Sequence, residues 1–162
     1  CLPRLGRIMI YHYTYDTELG SVTFAEEDGA LLAISTCRSC EGVCLETALI
    51  KEAHRQLCEY LKGERKEFDL PLNPKGTDFQ KRVWKALCEI PYGETRSYKQ
   101  IAETIGNPKA VRAVGMANHR NPLLIVVPCH RVIGDDGKLV GYAAGIDKKA
   151  FLLRLEAKYP KP

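Results

Sequence analysis

Apolar and polar residues alternate between Ile10 and Thr36, in IYHYTYDT, SVTFAEEDG and ALLAIST, with Leu19-Gly20 and Asp28-Gly29 as turn signals between them. A period of two predicts three strands of an antiparallel sheet. The period lengthens at Glu46, where Leu49, Ala53, Leu57 and Leu61 recur every fourth residue up to Gly63. This predicts an amphipathic helix over 46–62, laid on that sheet. FDLPLNPKG (68–76) holds two prolines and a glycine and fits neither period. We therefore read a small N-terminal α+β domain over 1–70, a linker at 71–76 and a C-terminal domain over 77–162.

The second half changes pattern. Thr77-Asp78-Phe79-Gln80 and Ser97-Tyr98-Lys99-Gln100 are both capping boxes, in which the first and fourth residues satisfy each other's backbone. They open a helix over 78–89 that buries Phe79, Val83 and Leu87, and one over 98–105 that buries Ile101, Ala102 and Ile105 and stops at Gly106. Asn107-Pro108 is a third cap with proline at the first helical position, so a further helix is expected within 108–122. On it Val111 and Val114 face the core. Its other side offers Ala110, Ala113, Gly115 and Ala117 among Lys109, Arg112, His119 and Arg120. Arginine among small residues, directly after a tight turn, fits the recognition helix of a helix-turn-helix module lying against DNA. The alternative is a helix–helix contact made through small residues. Further on, Phe151, Leu152 and Leu155 mark DKKAFLLRLEAKY (147–159) as a packed helix.

Composition narrows the class. The chain has 162 residues, 45% hydrophobic and 27% charged, an ordinary globular balance. Its longest apolar stretch, Leu123 to Val127, is far too short to span a bilayer, and the N-terminus lacks the apolar segment of a secretory signal. Seven cysteines form no disulfide framework, which fits a reducing compartment; a cytoplasmic, monomeric protein is expected. Charge is uneven: residues 1–74 hold 8 Lys and Arg against 12 Asp and Glu, and residues 75–162 hold 16 against 8. A basic second half suits a polyanionic partner, nucleic acid first among them.

The chemistry concentrates in IVVPCHRVIG (125–134), where Cys129 and His130 stand side by side at the end of a branched apolar run. Packing alone explains most such cysteines. A cysteine attacks as thiolate and needs a neighbour that takes its proton. In an extended strand adjacent side chains point to opposite faces, so His130 serves Cys129 only if the chain turns or a water intervenes. Pro128 and the turn-rich GDDG that follows favour such a departure. The histidine in turn needs a carboxylate, and Glu156 on the packed 147–159 helix is the acidic residue best placed to point inward.

These segments carry a family resemblance. PCHRVIG (128–134), SYKQIA (97–102), GNPKAVRAVG (106–115), RNP (120–122) and GYAAG (141–145) resemble, in order and spacing, the blocks of the O6-alkylguanine-DNA alkyltransferases, also called methylated-DNA–protein-cysteine methyltransferases. The resemblance is close over 77–158 and looser before it. It implies an α+β N-terminal domain and a winged helix-turn-helix-like C-terminal domain. It also implies a repair reaction in which O6-alkylguanine is flipped from duplex DNA and its alkyl group moves irreversibly to Cys129. His130 is then the base acting through water, Glu156 orients it, Asn121 organises the active-site turn and Tyr98 protonates guanine N3. Arg112 enters the stack in place of the flipped nucleotide. Backbone groups at Cys129 and Val132 read the guanine edge, Tyr142 walls the pocket and the amide of Ala143 meets O6. The second alanine of GYAAG replaces a common glycine, which bears on pocket width. No cofactor is required, and the small residues of the recognition helix imply minor-groove contact with little sequence preference.

Other readings stay open at this point. Family members without the cysteine bind lesions without repairing them; a transcriptional regulator or a cysteine hydrolase fits parts of the pattern. Cys37, Cys40 and Cys44 form C-x2-C-x3-C, a zinc spacing only if His54 or Cys58 completes the set, and structural thiols are the simpler reading.

Overall fold

The computed structural model describes residues 9–36, 41–139, 142 and 144–160. Strands β1 (Ile10–Thr17), β2 (Gly20–Glu27) and β3 (Ala30–Ser35) form the antiparallel meander that the alternation predicts. Asp28 and Gly29 both take positive φ, 53° and 76°, the conformation a two-residue hairpin turn demands and Asp-Gly tolerates. A short strand the pattern did not reveal, β4 (Val43–Cys44), adds to β1 in parallel, giving the order β3-β2-β1-β4. Two residues are too few to show a period.

Helix α1 (Ala48–Leu61) starts where Thr47 Oγ1 accepts from Ile50 N at 3.1 Å, and Gly63 follows it at φ 79°. It buries Ile50, Ala53, Leu57, Tyr60 and Leu61, close to the expected ladder. The 68–76 segment is extended, as read, and docks against β3. Leu31 N donates to Pro71 O and Asn73 N to Leu31 O, both at 2.8 Å. One strand-turn later Ile34 N donates to Pro122 O at 2.8 Å and Leu124 N to Ile34 O at 3.1 Å. The outer edge of β3 is thus capped by two pieces of the following chain. The buried apolar residues form one cluster that runs from Phe24, Leu31 and Tyr60 to Leu87, Leu123 and Leu152.

In the second half the helices are α2 (Asp78–Cys88), α3 (Tyr98–Thr104), α4 (Val111–His119) and α5 (Ile146–Lys158). Both capping boxes are formed reciprocally at Thr77/Gln80 and Ser97/Gln100. Helices α3 and α4 make the helix-turn-helix pair, flanked by a two-residue parallel pairing of β5 (Arg96–Ser97) with β6 (Val132–Ile133). The architecture is the α+β sheet-and-helix half followed by a helical half that the sequence implies.

Three details of α4 differ from expectation. Asn107-Pro108 forms a tight turn, closed by Ala110 N donating to Asn107 O at 3.0 Å, and the helix begins only at Val111. Proline suits the second place of such a turn as well as the first turn of a helix, so the dipeptide alone could not choose. With that start Val114 is fully buried but Val111 is 37% exposed, not a core residue. Ala117 is 2% exposed, held inward because its carbonyl accepts the Trp84 Nε1–H at 2.8 Å, so it offers no surface to DNA. No helix among the described residues is long and apolar enough to cross a membrane.

Candidate active site

After α4 the chain folds into a tight loop and then a single 3-10 turn, Cys129–Arg131. Ile125 sits at φ 73°, a left-handed conformation that a β-branched residue adopts only under constraint. Asn121, 6% exposed, supplies much of that constraint. Its Nδ2 donates to Val127 O at 2.8 Å, Leu123 O at 3.2 Å and Cys129 Sγ at 3.1 Å, and its Oδ1 accepts from Leu123 N at 3.0 Å. The departure from strand geometry lets Cys129 and His130 leave opposite faces, since side chains step round a 3-10 turn by a third of a circle. Asn118, buried on α4, adds a contact from Nδ2 to Cys129 O at 3.4 Å.

Cys129 is 1% exposed, and burial pushes its thiol up to about 11 against the pull of the Asn121 hydrogen bond and the Lys149 charge. His130 is wholly buried and bonds Glu156 Oε2 through Nε2 at 2.7 Å. Burial lowers the imidazole from its ordinary value more than Glu156 raises it, so the ring rests neutral. Its other nitrogen, Nδ1, is buried with no hydrogen-bond partner among the described residues. Burial alone would raise Glu156. Hydrogen bonds from His130 and Arg131 more than reverse that and hold the carboxyl well below the carboxylate range. Arg131 reaches Glu156 through Nε at 2.9 Å and Nη2 at 2.9 Å and fixes its remaining arm on Ile90 O at 2.8 Å. Gly93 N donates to Glu156 Oε1 at 3.1 Å.

Of the residues singled out in the sequence, the structure pairs Asn121 with Cys129 and His130 with Glu156, the two pairs meeting at the Cys129–Arg131 turn. Tyr98 is half-buried at the start of α3, hydrogen-bonded to Asn118, and burial and the nearby Cys129 raise its phenol. Tyr142 is buried and shifted upward by burial first and then by Cys129 and Glu156. Val132 is fully buried, with its N–H committed to Cys129 O. Ala143 lies outside the described residues. On α4, Arg112, Ala113 and Arg120 are exposed; Ala110 and Gly115 are half-buried, with the Tyr98 ring 3.8 Å from where a Gly115 Cβ would stand.

Sequence reading missed two charged residues here. Arg131 is buried against Glu156; its signal was a charge inside an apolar run. Lys149 is fully buried on α5 with Nζ 5.9 Å from the Tyr98 ring centroid, and burial lowers it to about 8 against the attraction of Cys129. Its signal was its place on the same helix face as Leu152 and Glu156, three and seven residues on. Cys37 and Cys40 lie outside the described residues, and Cys44 is exposed on β4. Cys58 Sγ meets His54 Nε2 at 3.3 Å, and no group of three metal-ligating side chains occurs among the described residues.

A buried thiol on the same turn as a histidine–carboxylate pair, beside a helix-turn-helix, fits a class of DNA-acting transferases, and comparison with known proteins agrees. Residues 78–158 match the family model "6-O-methylguanine DNA methyltransferase, DNA binding domain", and residues 10–74 match its "ribonuclease-like domain". A methylated-DNA–protein-cysteine methyltransferase of Methanosarcina barkeri is 68% identical over 106 residues, 65% of this chain and 67% of that protein. Its counterpart in Methanosarcina acetivorans is 49% identical over 153 residues, 91% of this chain and 98% of that protein. The crystal structure of Mycobacterium tuberculosis OGT in complex with DNA superposes with a TM-score of 0.85 at 48% identity, covering 92% of this chain and 94% of that one. The chain belongs to the methylated-DNA–protein-cysteine methyltransferase family, the DNA-repair alkyltransferases.

Proposed function

We propose that this protein repairs O6-alkylguanine in duplex DNA by moving the alkyl group onto Cys129, once per molecule. The observation that carries this reading is the buried chain Glu156–His130 ending in an unpartnered Nδ1 beside the Cys129 turn. The thiol proton passes to His130 Nδ1 through a water, and sulfur attacks the alkyl carbon. The S–C bond forms as the C–O6 bond breaks, and its electron pair leaves with the guanine. Tyr98 offers its proton at guanine N3 as that charge develops. The proton given up by the thiol makes good the balance, so the base leaves as neutral guanine.

Moving the proton in the resting site is costly. With burial raising the thiol to about 11 and lowering the imidazole, transfer from Cys129 to His130 runs uphill in the resting site. Cys129 therefore stays a thiol until a bound base completes the site. That restraint suits a protein that must not spend its sulfur on other electrophiles. The product is a thioether, with no leaving group at neutral pH, so the reaction does not turn over.

The target atom is out of reach inside a duplex, so the nucleotide must be flipped, and exposed Arg112 fills the gap it leaves. Ala113 and half-buried Ala110 and Gly115 let α4 approach a minor groove closely, with Arg120 at its C-terminal end meeting phosphate. Tyr142 walls the base pocket, while Val132 and the Ala143 amide read the base. The M. tuberculosis OGT complex with DNA supports a DNA partner. We place the protein as a cytoplasmic monomer, its two halves acting as an N-terminal support and a C-terminal repair domain. The test is stoichiometry: with a duplex bearing O6-methylguanine in excess, repaired guanine should plateau at one per protein. Continued turnover would overturn single use, and tight binding with no repair would make this a lesion-binding protein.

A further inference from the structure

Tyr60 belongs to α1, in the N-terminal half, 96 residues from Glu156, and is fully buried. Its hydroxyl lies 2.5 Å from Glu156 Oε2 and 3.4 Å from His130 Nε2. An ionised carboxylate only accepts, so the phenol donates to Glu156. With its proton directed there, the Tyr60 oxygen turns a lone pair toward His130 Nε2. That nitrogen then faces two acceptors, Glu156 Oε2 at 2.7 Å and Tyr60 Oη at 3.4 Å. Such surroundings favour the tautomer with hydrogen on Nε2 and a free lone pair on Nδ1.

We propose that Tyr60 is a positioning residue: from the N-terminal half it anchors the Glu156 carboxylate against His130 Nε2 and shares its charge, which sets the proton affinity of the histidine whose Nδ1 takes the Cys129 proton. The N-terminal half then does more than support the fold. The Tyr60 ring is held for this by Phe68 at 5.4 Å and Tyr92 at 6.2 Å between centroids. The other titratable groups around the pair are Arg131, Lys149, Cys129, Tyr92 and Tyr142, all in the C-terminal half. Each of them survives a change at Tyr60 that keeps the ring.

This inference rests on the proposed methyl transfer, so its test separates the two. The rate of methyl transfer from an O6-methylguanine duplex is measured across pH for the whole protein, for Tyr60→Phe and for Phe68→Leu. If the unmodified protein transfers nothing, the function fails; if it transfers, Tyr60 is on trial. Tyr60→Phe should slow transfer about tenfold, the worth of one hydrogen bond to a charged group. Duplex affinity should be unchanged. Without the phenol, Glu156 draws the His130 proton more strongly, so the acid limb of the rate profile should move up by about one pH unit. Phe68→Leu should lower stability but leave the profile in place. A wild-type rate and profile in Tyr60→Phe, or the same shift in Phe68→Leu, would overturn the proposal. Should Tyr60→Phe fail to fold, 3-fluorotyrosine at position 60 decides: a stronger donor to Glu156 should move the acid limb down, and an unmoved limb refutes the proposal.

Discussion

Asn121→Ala removes four contacts at once, and their consequences differ. Val127 O keeps a partner, since Cys129 N donates to it at 2.8 Å, and Leu123 O keeps Val127 N at 3.0 Å. Leu123 N has Asn121 Oδ1 as its acceptor and, being buried, is orphaned by the substitution. An orphaned buried N–H costs about 2 kcal/mol and each lost hydrogen bond about 1 kcal/mol, against which relief of the Ile125 backbone recovers part. The net loss expected is about 3 kcal/mol, or roughly 6–12 °C in melting temperature for a chain of this size. The side chain also lowers the Cys129 thiol through its bond to Sγ, so its loss should drive that thiol higher still. Urea unfolding measures the first effect, and iodoacetamide labelling of Cys129 against pH, followed by mass, measures the second. Asn121→Asp keeps the acceptor for Leu123 N but sets a carboxylate against two carbonyls and the sulfur, and should suppress labelling further. A stability change below about 1 kcal/mol in Asn121→Ala would refute the view that this side chain holds the loop.

Stability should also depend on pH within a defined window. His130 folds neutral with its value lowered from 6.5, so below that pH the unfolded chain takes up a proton the folded one refuses, and stability falls. Cys129 is raised from 9.0 to about 11, so its contribution is complete below pH 9 and is lost as pH climbs toward 11. Lys149, lowered from 10.5 to about 8, acts in the opposite sense and adds stability as pH rises from 8, so the two buried groups oppose each other in alkali and the acid side is the clean test. Urea midpoints should decline as pH falls below 6.5; midpoints that rise there would contradict the burial argument. Glu156→Gln leaves Arg131 buried without its carboxylate and should cost about 3–5 kcal/mol by urea unfolding. Arg112→Ala should abolish repair of a paired lesion while the salt dependence of duplex binding barely changes; a salt slope smaller by about 1 would instead mark Arg112 as a phosphate contact.

How much the sequence disclosed varied with the length of each pattern. The meander, α1, α2, α3 and α5 all carry a period or a reciprocal cap, and each folds where that signal lies. Strand β4 is too short for any period, and the start of α4 turned on a dipeptide with two legitimate uses. Glu156 was found because a packed helix face carried one acidic residue, yet Lys149 on that face passed unnoticed. Tyr60 was beyond sequence reading: it reads as one more core residue of α1, and only the docking of the halves carries its hydroxyl to Glu156. Ala117 shows the converse, since a small residue suits a groove and a core equally until Trp84 claims its carbonyl.

The intact mass of the protein decides whether Cys129 is the alkyl acceptor. After incubation with a duplex containing O6-methylguanine, the protein should gain the mass of one methyl group, located by fragmentation on Cys129 and absent from Cys129→Ser. An unchanged mass in a protein that binds the lesion tightly, or a methyl group found on another residue, would rule out Cys129 as the acceptor.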